Sequence, residues 1–483
     1  MLYRLVNLVL YISKRLLIAF LLIPWATFSQ GISNLWLTGY NGGNYDYFGV
    51  SATNFISGFP DTSHSSVTMN FLDCNANISD SLGNLLYYTN GIYIANANND
   101  TMVNGSNLNP APYTTQQFND GLRIKQGNLI LPKPNSPNIY YLFHETLFLD
   151  QSINDYRTPE IFYSVIDMSL DNGRGAVTQK NVLLLSDTLS PGGITACKHG
   201  NGRDWWIVFH KSKGRRYYKF LLTPSGLQGP FAQDIGYSVL PRDWIWQSSF
   251  SSNGLKFSTA FTKDTFDIMD FDRCTGLFTN VNSIYVNDSA QGRGVAFSPN
   301  SQYLYYSSEN YLYQYNIASS PISASQIKIG TYDKYVDLIP PIYTQYFTCH
   351  LGYDHKIYIL SGNGSRWLTV INDPDSLGDA CNVLEHSFYL PTYNAWTIPN
   401  FPNYFLGKES GAICDSLSFG SIQIERVYQN PILPPAIVSD DRGEAVQYMT
   451  TPISDRNSYK GYLLRSDSLI LNTTKSKKQS EIH

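Results

Sequence analysis

A polar or glycine-containing turn followed by a short aromatic strand recurs along the chain. The clearest copy is FSPNSQYLYYSS at residues 297–308. The turns of six such copies begin at Gly83, Pro137, Arg203, Asn253, Ser301 and Asp354. Their mean separation is about 54 residues, which is longer than a solenoid repeat and near the length of a four-stranded propeller blade with its loops.

Most of these strands are followed by a second apolar strand, as at 216–223, 266–273 and 311–318. This succession is typical of β-hairpins. Helical periodicity is almost absent outside the first 30 residues, so helices cannot form the core. The pattern therefore predicts an all-β fold, and specifically a β-propeller, because radial repetition of antiparallel sheets leaves only short, protected edges.

The length of the repeat predicts the number of blades. Residues 31–417 hold about seven units of this size, and six is the alternative because loop insertions blur the count. Only six turns are visible in the sequence. We expect the remaining blade to combine the strand at 34–40 with segments after Tyr389, which closes the ring by joining the two ends of the chain.

Composition narrows the class of function. The chain has 483 residues, a net charge of −4 and only 15% charged residues. This excludes the basic footprint of a nucleic-acid-binding protein. The 36 Tyr, 25 Phe and 8 Trp fit half-buried strands, so a disordered chain is excluded as well.

The N-terminus is typical of an export signal, which we assign to residues 1–29. Lys14 and Arg15 precede an apolar run at 16–25, and small residues follow. A membrane anchor is the alternative, but ten residues are too few because a spanning helix needs about 20. We expect the propeller at 30–417, a separate tail at 418–483, and no transmembrane anchor after signal removal.

The six cysteines are widely spaced and include no C-x-x-C pair, which argues against a zinc site. Export permits one or two disulfides. Cys381 and Cys414 both lie in polar, loop-like surroundings, and we predict a disulfide between them. Cys197 and Cys349 lie among strand residues, where buried thiols are expected.

Motifs of catalysis were sought and not found, so the catalytic residues remain unknown. His144 and Glu145 begin a metalloprotease-like pattern, but the second histidine is missing and the segment is strand-like. His350 and His355 flank a turn, but a lone pair of histidines is only a weak sign of a metal site. We therefore predict no metal and no cofactor. His199 and Asp204 surround a polar turn before a Trp-Trp strand, and we expect them to pin adjacent strands by hydrogen bonds, as in WD-type blades.

Several phrases resemble secreted, propeller-like surface proteins of the Bacteroidetes, associated with type IX secretion and gliding motility. They include segments at 78–91, 163–184, 198–211, 293–308 and 398–407. The resemblance covers roughly 31–417. It implies secretion, or display at the outer-membrane surface, after export through the Sec route.

The tail resembles a shortened type IX sorting domain. The segment at 427–431 is similar to the V-Y-P-N-P opening of such domains, and 438–446 and 460–464 are similar to later strands. Only six residues separate Pro431 from Val438, so the first strands of that domain are missing. The alternative is a disordered polar tail. The resemblance implies type IX machinery as a partner.

These features favour a non-enzymatic propeller that binds a protein or a glycan through aromatic loops at one face. The alternative is an enzyme, a lyase, lactonase or glycosidase, centred on the channel. Acidic side chains and histidines converging at the channel mouth would favour the enzyme, whereas an aromatic, uncharged mouth would favour binding.

Overall fold

The computed structural model describes residues 31–43, 45–151, 154–240, 243–338, 341–411, 414, 423–424, 436–439, 445–453 and 458–464. The predicted signal at 1–29 and the tail segment at 427–431 lie outside this part of the chain. Two compact units are present, Met1–Lys408 and Glu409–His483. Within the described residues, no helix has the length and apolar character needed to cross a membrane.

The first unit is a seven-bladed β-propeller, as predicted. Each blade is an antiparallel sheet in which neighbouring strands follow one another along the chain. Blade 1 contains β1 (Leu35–Tyr40), β2 (Gly49–Asn54) and β3 (Asp61–Ser65). Blade 2 contains β4 (Ala76–Ser79), β5 (Leu85–Thr89) and β6 (Ile94–Asn96). Blade 3 contains β7 (Asn128–Pro132), β8 (Ile139–Glu145), β9 (Phe148–Asp150), β10 (Asp155–Asp167) and β11 (Ala176–Leu189).

The other four blades each have four strands. Blade 4 contains β12 (Thr195–Lys198), β13 (Trp205–His210), β14 (Gly214–Thr223) and β15 (Gly226–Val239), and blade 5 contains β16 (Ile245–Phe250), β17 (Lys256–Phe261), β18 (Thr265–Phe271) and β19 (Phe278–Tyr285). Blade 6 contains β20 (Gly292–Phe297), β21 (Tyr303–Ser308), β22 (Tyr311–Asn316) and β23 (Ile327–Thr331). Blade 7 contains β26 (Tyr346–Leu351), β27 (Ile357–Ser361), β28 (Ser365–Ile371) and β29 (Val383–Asn394).

Short elements occupy some of the connections. They are the helix α1 (Pro112–Gln116), three 3-10 turns (Asp171–Gly173, Ile322–Ser325 and Gly378–Cys381) and the hairpin of β24 (Val336–Leu338) and β25 (Pro341–Tyr343). The second unit contains one described antiparallel sheet, formed by β30 (Gln423–Ile424), β31 (Ala436–Ser439), β32 (Ala445–Ile453) and β33 (Ser458–Leu464).

Stacking of the blades explains the aromatic strands of the repeat. The second strands β13, β21 and β27 are buried at every position, because both of their faces are covered. Such strands read as continuous apolar runs rather than alternating ones. The last strands, such as β19, are instead mostly exposed.

In several copies of the recurring turn, one residue has a left-handed backbone conformation. Gly254, Ser301 and His355 all have positive φ, at 74°, 60° and 63°. In the turn before β21, the Ser298 hydroxyl oxygen accepts the Tyr303 N–H at 2.9 Å. These local hydrogen bonds give the repeat its polar signature, since Ser, Asn and Gly satisfy or permit the reversed backbone.

The ring closes between blade 7 and blade 1. Tyr393 N–H donates to Tyr47 O at 2.8 Å, and Trp396 N–H donates to Leu72 O at 2.9 Å. The strands of blade 1 all come from residues 35–65, whereas β29 completes blade 7. The expectation that strands after Tyr389 share blade 1 is therefore wrong. Those residues contribute hydrogen bonds to blade 1 instead.

The predicted disulfide between Cys381 and Cys414 is also wrong, because Cys381 is a free thiol. Its surroundings are not loop-like. The 3-10 turn Gly378–Cys381 places this side chain, fully buried, in an apolar cluster with Tyr305 and Leu312 of blade 6 and Ile371 of blade 7. The polar residues that surround Cys381 in the sequence do not indicate this packing.

Candidate binding site at the mouth of the central channel

A large cavity of the propeller lies where the first strands of blades 4–7 end. These strands, β12, β16, β20 and β26, pack against one another around the centre of the ring. The cavity has a volume of about 490 Å³, and the segment 398–406 covers it from the other side. We call this cavity the channel-mouth pocket. Its volume suits a small molecule or a short polymer segment.

The described residues that line the pocket include no Asp, Glu, Lys or Arg. Aromatic rings dominate the walls instead: Trp36, Phe250, Phe297, Tyr353, Phe401 and Phe405. The rings of Tyr353 and Phe405 meet edge to face at the rim, with centroids 5.7 Å apart. Phe405 is 37% exposed, so the rim presents an apolar surface to solvent.

Three amide side chains form the polar floor, and each crosses between blades. Gln247 on β16 donates to Cys349 O at 2.6 Å and accepts N–H groups from Val295 at 3.1 Å and Cys349 at 3.0 Å. It thereby joins blades 5, 6 and 7. Because Gln247 is buried and its hydrogen bonds are satisfied by the protein, its first role is structural.

Asn400 and Gln126 continue this floor on the other side. The Asn400 side chain donates to Asn128 O at 3.0 Å and Ile194 O at 2.8 Å. Gln126 donates to Ser248 O at 3.1 Å and accepts its N–H at 2.8 Å. The amides hold the first strands and the covering segment in fixed positions, so the pocket is largely preformed.

Neither histidine of the pocket is paired with an acidic side chain of the pocket lining. Burial lowers the pKa of His350 to about 4, so this ring is neutral at physiological pH. Its Nε2 lies 3.2 Å from Thr348 Oγ1. His355 is exposed in the turn after β26. The structure places both predicted loop histidines at the pocket without a carboxylate partner in its lining.

The nucleophilic side chains of the pocket are not activated. Burial raises the pKa of Cys349 to about 12, which keeps its thiol protonated. Ser248 Oγ lies 2.8 Å from Thr259 Oγ1, and Ser251 donates to Asn253 Oδ1 at 2.7 Å. A hydroxyl nucleophile needs a neighbouring base, and the hydrogen bonds of these serines go elsewhere.

His199 and Asp204 lie outside the pocket, in the turn between β12 and β13. His199 Nε2 is 3.0 Å from Cys274 O, a contact from blade 4 to blade 5. The Asp204 carboxylate accepts two hydrogen bonds from Arg203, at 2.7 and 2.9 Å, and one from Asn201 at 2.9 Å. His199 thus links blades, whereas Asp204 holds its own turn.

His144 and Glu145, which begin the rejected metalloprotease-like pattern, are buried at the end of β8. His144 contacts Asn109 Oδ1 at 2.6 Å through Nδ1 and Ser164 Oγ at 2.9 Å through Nε2. Glu145 accepts the Gly192 N–H. Both side chains are engaged inside blade 3 and its connections.

A cluster of charged residues that the sequence does not indicate lies at the opposite ends of the first strands. Lys125 Nζ lies 2.5 Å from Asp73 Oδ1 and 4.8 Å from the centroid of the Trp246 ring. The Arg293 guanidinium also lies over this ring, 4.4 Å from the same centroid. None of these three charged residues lines the channel-mouth pocket. No local spacing in the sequence links these positions.

Comparison with known protein families finds no match, and comparison with curated proteins finds none either. Solved structures do resemble the chain. A Lactobacillus plantarum protein has a TM-score of 0.43 at 12% identity, over 76% of this chain and 99% of that one. A putative 6-phosphogluconolactonase from Bacteroides fragilis has a TM-score of 0.42 at 10% identity, over 78% and 99%. A periplasmic gluconolactonase from Pseudomonas aeruginosa has 0.42 at 10%, over 77% and 100%. The similarity concerns the fold alone.

Proposed function

We propose that the protein is an exported binding module that holds an uncharged glycan segment in the channel-mouth pocket. The observation that carries this proposal is the lining, which combines six aromatic rings with serine hydroxyls and amides and lacks full charges among its described residues. Sugar rings present apolar faces and a rim of hydroxyls. Aromatic side chains pack on such faces, and polar groups orient them.

The rim favours a ligand that extends beyond the pocket. Tyr353 and Phe405 are both partly exposed, and Leu351 beside them is 36% exposed. A chain of sugars that passes over these side chains exchanges water for aromatic contact at the mouth. A charged ligand gains nothing comparable, since no cation or anion of the lining offsets its loss of hydration.

Binding is tested by isothermal titration of the full chain with neutral oligosaccharides and with uronic-acid oligosaccharides of equal length. We expect binding of a neutral series and about fivefold weaker affinity in Tyr353→Ala and in Phe405→Ala, because an aromatic contact contributes about 1 kcal/mol. Tyr285→Ala is the matched control, since Tyr285 is 63% exposed on β19 outside the pocket.

Two results contradict the proposal. One is unchanged affinity in both rim variants. The other is turnover of a glycan or lactone that a substitution in the pocket abolishes, which supports the channel-centred enzyme. Product analysis by mass spectrometry after long incubation separates binding from turnover.

We also propose that residues 418–483 direct the protein through type IX secretion to the cell surface or the medium. This proposal rests on the sequence resemblance of the tail. A reporter fused to these residues, in a host competent for type IX secretion, is expected outside the cell. Retention of the reporter in the periplasm argues against it.

A further inference from the structure

Three potential metal ligands converge beside blade 7, away from the channel-mouth pocket. They are Asp333, in the turn after β23, and Glu385 and His386 on β29. One donor atom from each lies within 4.8 Å of the others. His386 Nε2 is 3.2 Å from both Asp333 carboxylate oxygens and 4.0 Å from Glu385 Oε2.

A β-bulge creates this convergence. Val370 pairs with Leu384 and Leu368 pairs with Phe388, so the three residues 385–387 lie opposite Thr369 alone. His386 has a φ of 48°, which is unusual for a residue other than glycine. Consecutive residues of a regular strand point to opposite faces, but here both Glu385 and His386 approach Asp333.

Neighbouring groups hold the ligands in place. The Tyr346 hydroxyl donates to Glu385 Oε1, and Thr369 Oγ1 donates to Glu385 Oε2 at 3.3 Å. The Tyr335 ring lies 4.3 Å from the His386 ring, centroid to centroid. Metal-binding carboxylates and imidazoles commonly have such supporting contacts, which fix their orientation.

We propose that Asp333, Glu385 and His386 form a binding site for one divalent transition metal ion, with Zn²⁺ the best match. Bonds of about 2.1 Å in tetrahedral geometry place ligand atoms about 3.4 Å apart, and the observed separations of 3.2 and 4.0 Å bracket this value. One imidazole nitrogen with two carboxylate oxygens suits zinc better than the all-oxygen shells of calcium or magnesium.

The alternative is an ion pair in which the His386 imidazolium contacts both carboxylates, since its Nε2 lies 3.2 Å from Asp333 Oδ2 and 4.0 Å from Glu385 Oε2. Two carboxylates this close to each other favour a cation between them, and either the imidazolium or a bound metal ion supplies that charge. Asp333 comes from the connection between blades 6 and 7, whereas the other two ligands are on the last strand of blade 7. The metal therefore joins this connection to the strand.

Metal binding is tested on tag-free, full-length protein stripped with a chelator and then titrated with Zn²⁺ or Co²⁺. We expect one metal ion per chain by elemental analysis, the visible absorption of four-coordinate Co²⁺, and a higher Tm with metal than without. Asp333→Asn and His386→Gln are each expected to weaken the affinity at least tenfold. Asp333 is exposed in a turn, so its substitution leaves the fold intact.

The matched controls are Asp61→Asn and His64→Gln, which alter exposed residues of β3. They are expected to bind metal like the unmodified protein. The proposal is overturned if no stoichiometric metal binds, or if Asp333→Asn, His386→Gln and Glu385→Gln bind it as tightly as the controls do. The ion-pair alternative predicts that outcome, with a Tm that does not respond to metal.

Discussion

Replacing Gln247 tests whether the amide floor holds blades 5, 6 and 7 together. The Gln247→Leu variant keeps most of the side-chain volume but leaves three backbone groups without their partner: the N–H of Val295 and the N–H and C=O of Cys349. An unsatisfied buried polar group costs about 1–3 kcal/mol. Because Gln247 lines the channel-mouth pocket, we take the lower value for each group and expect a loss of about 3 kcal/mol.

The expected change in Tm follows from the size of the unit. Unfolding entropy of about 2 cal/mol/K per residue gives about 0.8 kcal/mol/K for a propeller of this length, so 3 kcal/mol lowers Tm by about 4 °C. Calorimetry measures this shift. Ser249→Ala is the matched control, because Ser249 lines the same pocket on the same strand and donates only to the adjacent Phe250 carbonyl at 3.3 Å. A Gln247→Leu variant within 1 °C of this control refutes the reasoning.

Three further predictions concern burial. Burial raises the pKa of Glu145 to about 8, so the folded state retains a proton that the unfolded state releases above pH 4.5. The contribution of protonated Glu145 to folding stability is therefore complete below pH 4.5 and is lost as the pH rises through 8. Glu145→Gln is therefore expected to match the unmodified protein near pH 4.5 and to become progressively more stable than it towards pH 8, by about 1 kcal/mol per pH unit in denaturant titrations, and parallel curves would contradict this. His199→Ala loses the contact with Cys274 O and should cost about 1 kcal/mol more than His64→Ala, whose side chain is exposed; equal denaturation midpoints would show that His199 does not link the blades. Thiol titration without reductant should find Cys74, Cys197, Cys349 and Cys381 unreactive in the native protein and reactive after denaturation, and a fast native reaction of these four would contradict their burial.

The repeat could be predicted from the sequence because each blade depends on local chemistry. A polar turn with a left-handed residue, such as Ser301, recurs along the chain, and the aromatic strand after it is largely buried and in β21 buried at every position. Blade 1 is harder to predict, since its second strand β2 contains no aromatic residue. Ring closure depends on backbone contacts such as Tyr393 to Tyr47, which are separated by most of the chain and have no signature in residue type.

The residues of the candidate sites are harder still to predict from the sequence, because long-range contacts bring them together. His350 and His355 were recognised as a pair flanking a turn, but nothing local indicates that Phe250, Phe401 and Phe405 join them around one pocket. Asp333 and His386 are 53 residues apart and meet only because a bulge reverses the expected direction of one side chain. Periodicity assigns a strand residue to a face, and a bulge breaks that assignment.

The position of charge within the channel links the fold to the proposed binding. Lys125, Asp73 and Arg293 cluster near the starts of the first strands, where Trp246 and Phe347 cover the cations. At the other ends of the same strands, the lining is aromatic and its amides are bonded to the backbone. A ligand at the mouth therefore meets apolar faces and a limited set of hydroxyls rather than a fixed charge. Such a surface selects for shape and for neutral hydroxyl-bearing groups, so affinity for neutral glycans should change little with salt, whereas binding dominated by charge weakens steeply as salt is added. Titrations at low and high ionic strength distinguish the two, and a strong salt dependence would place the ligand elsewhere on the propeller.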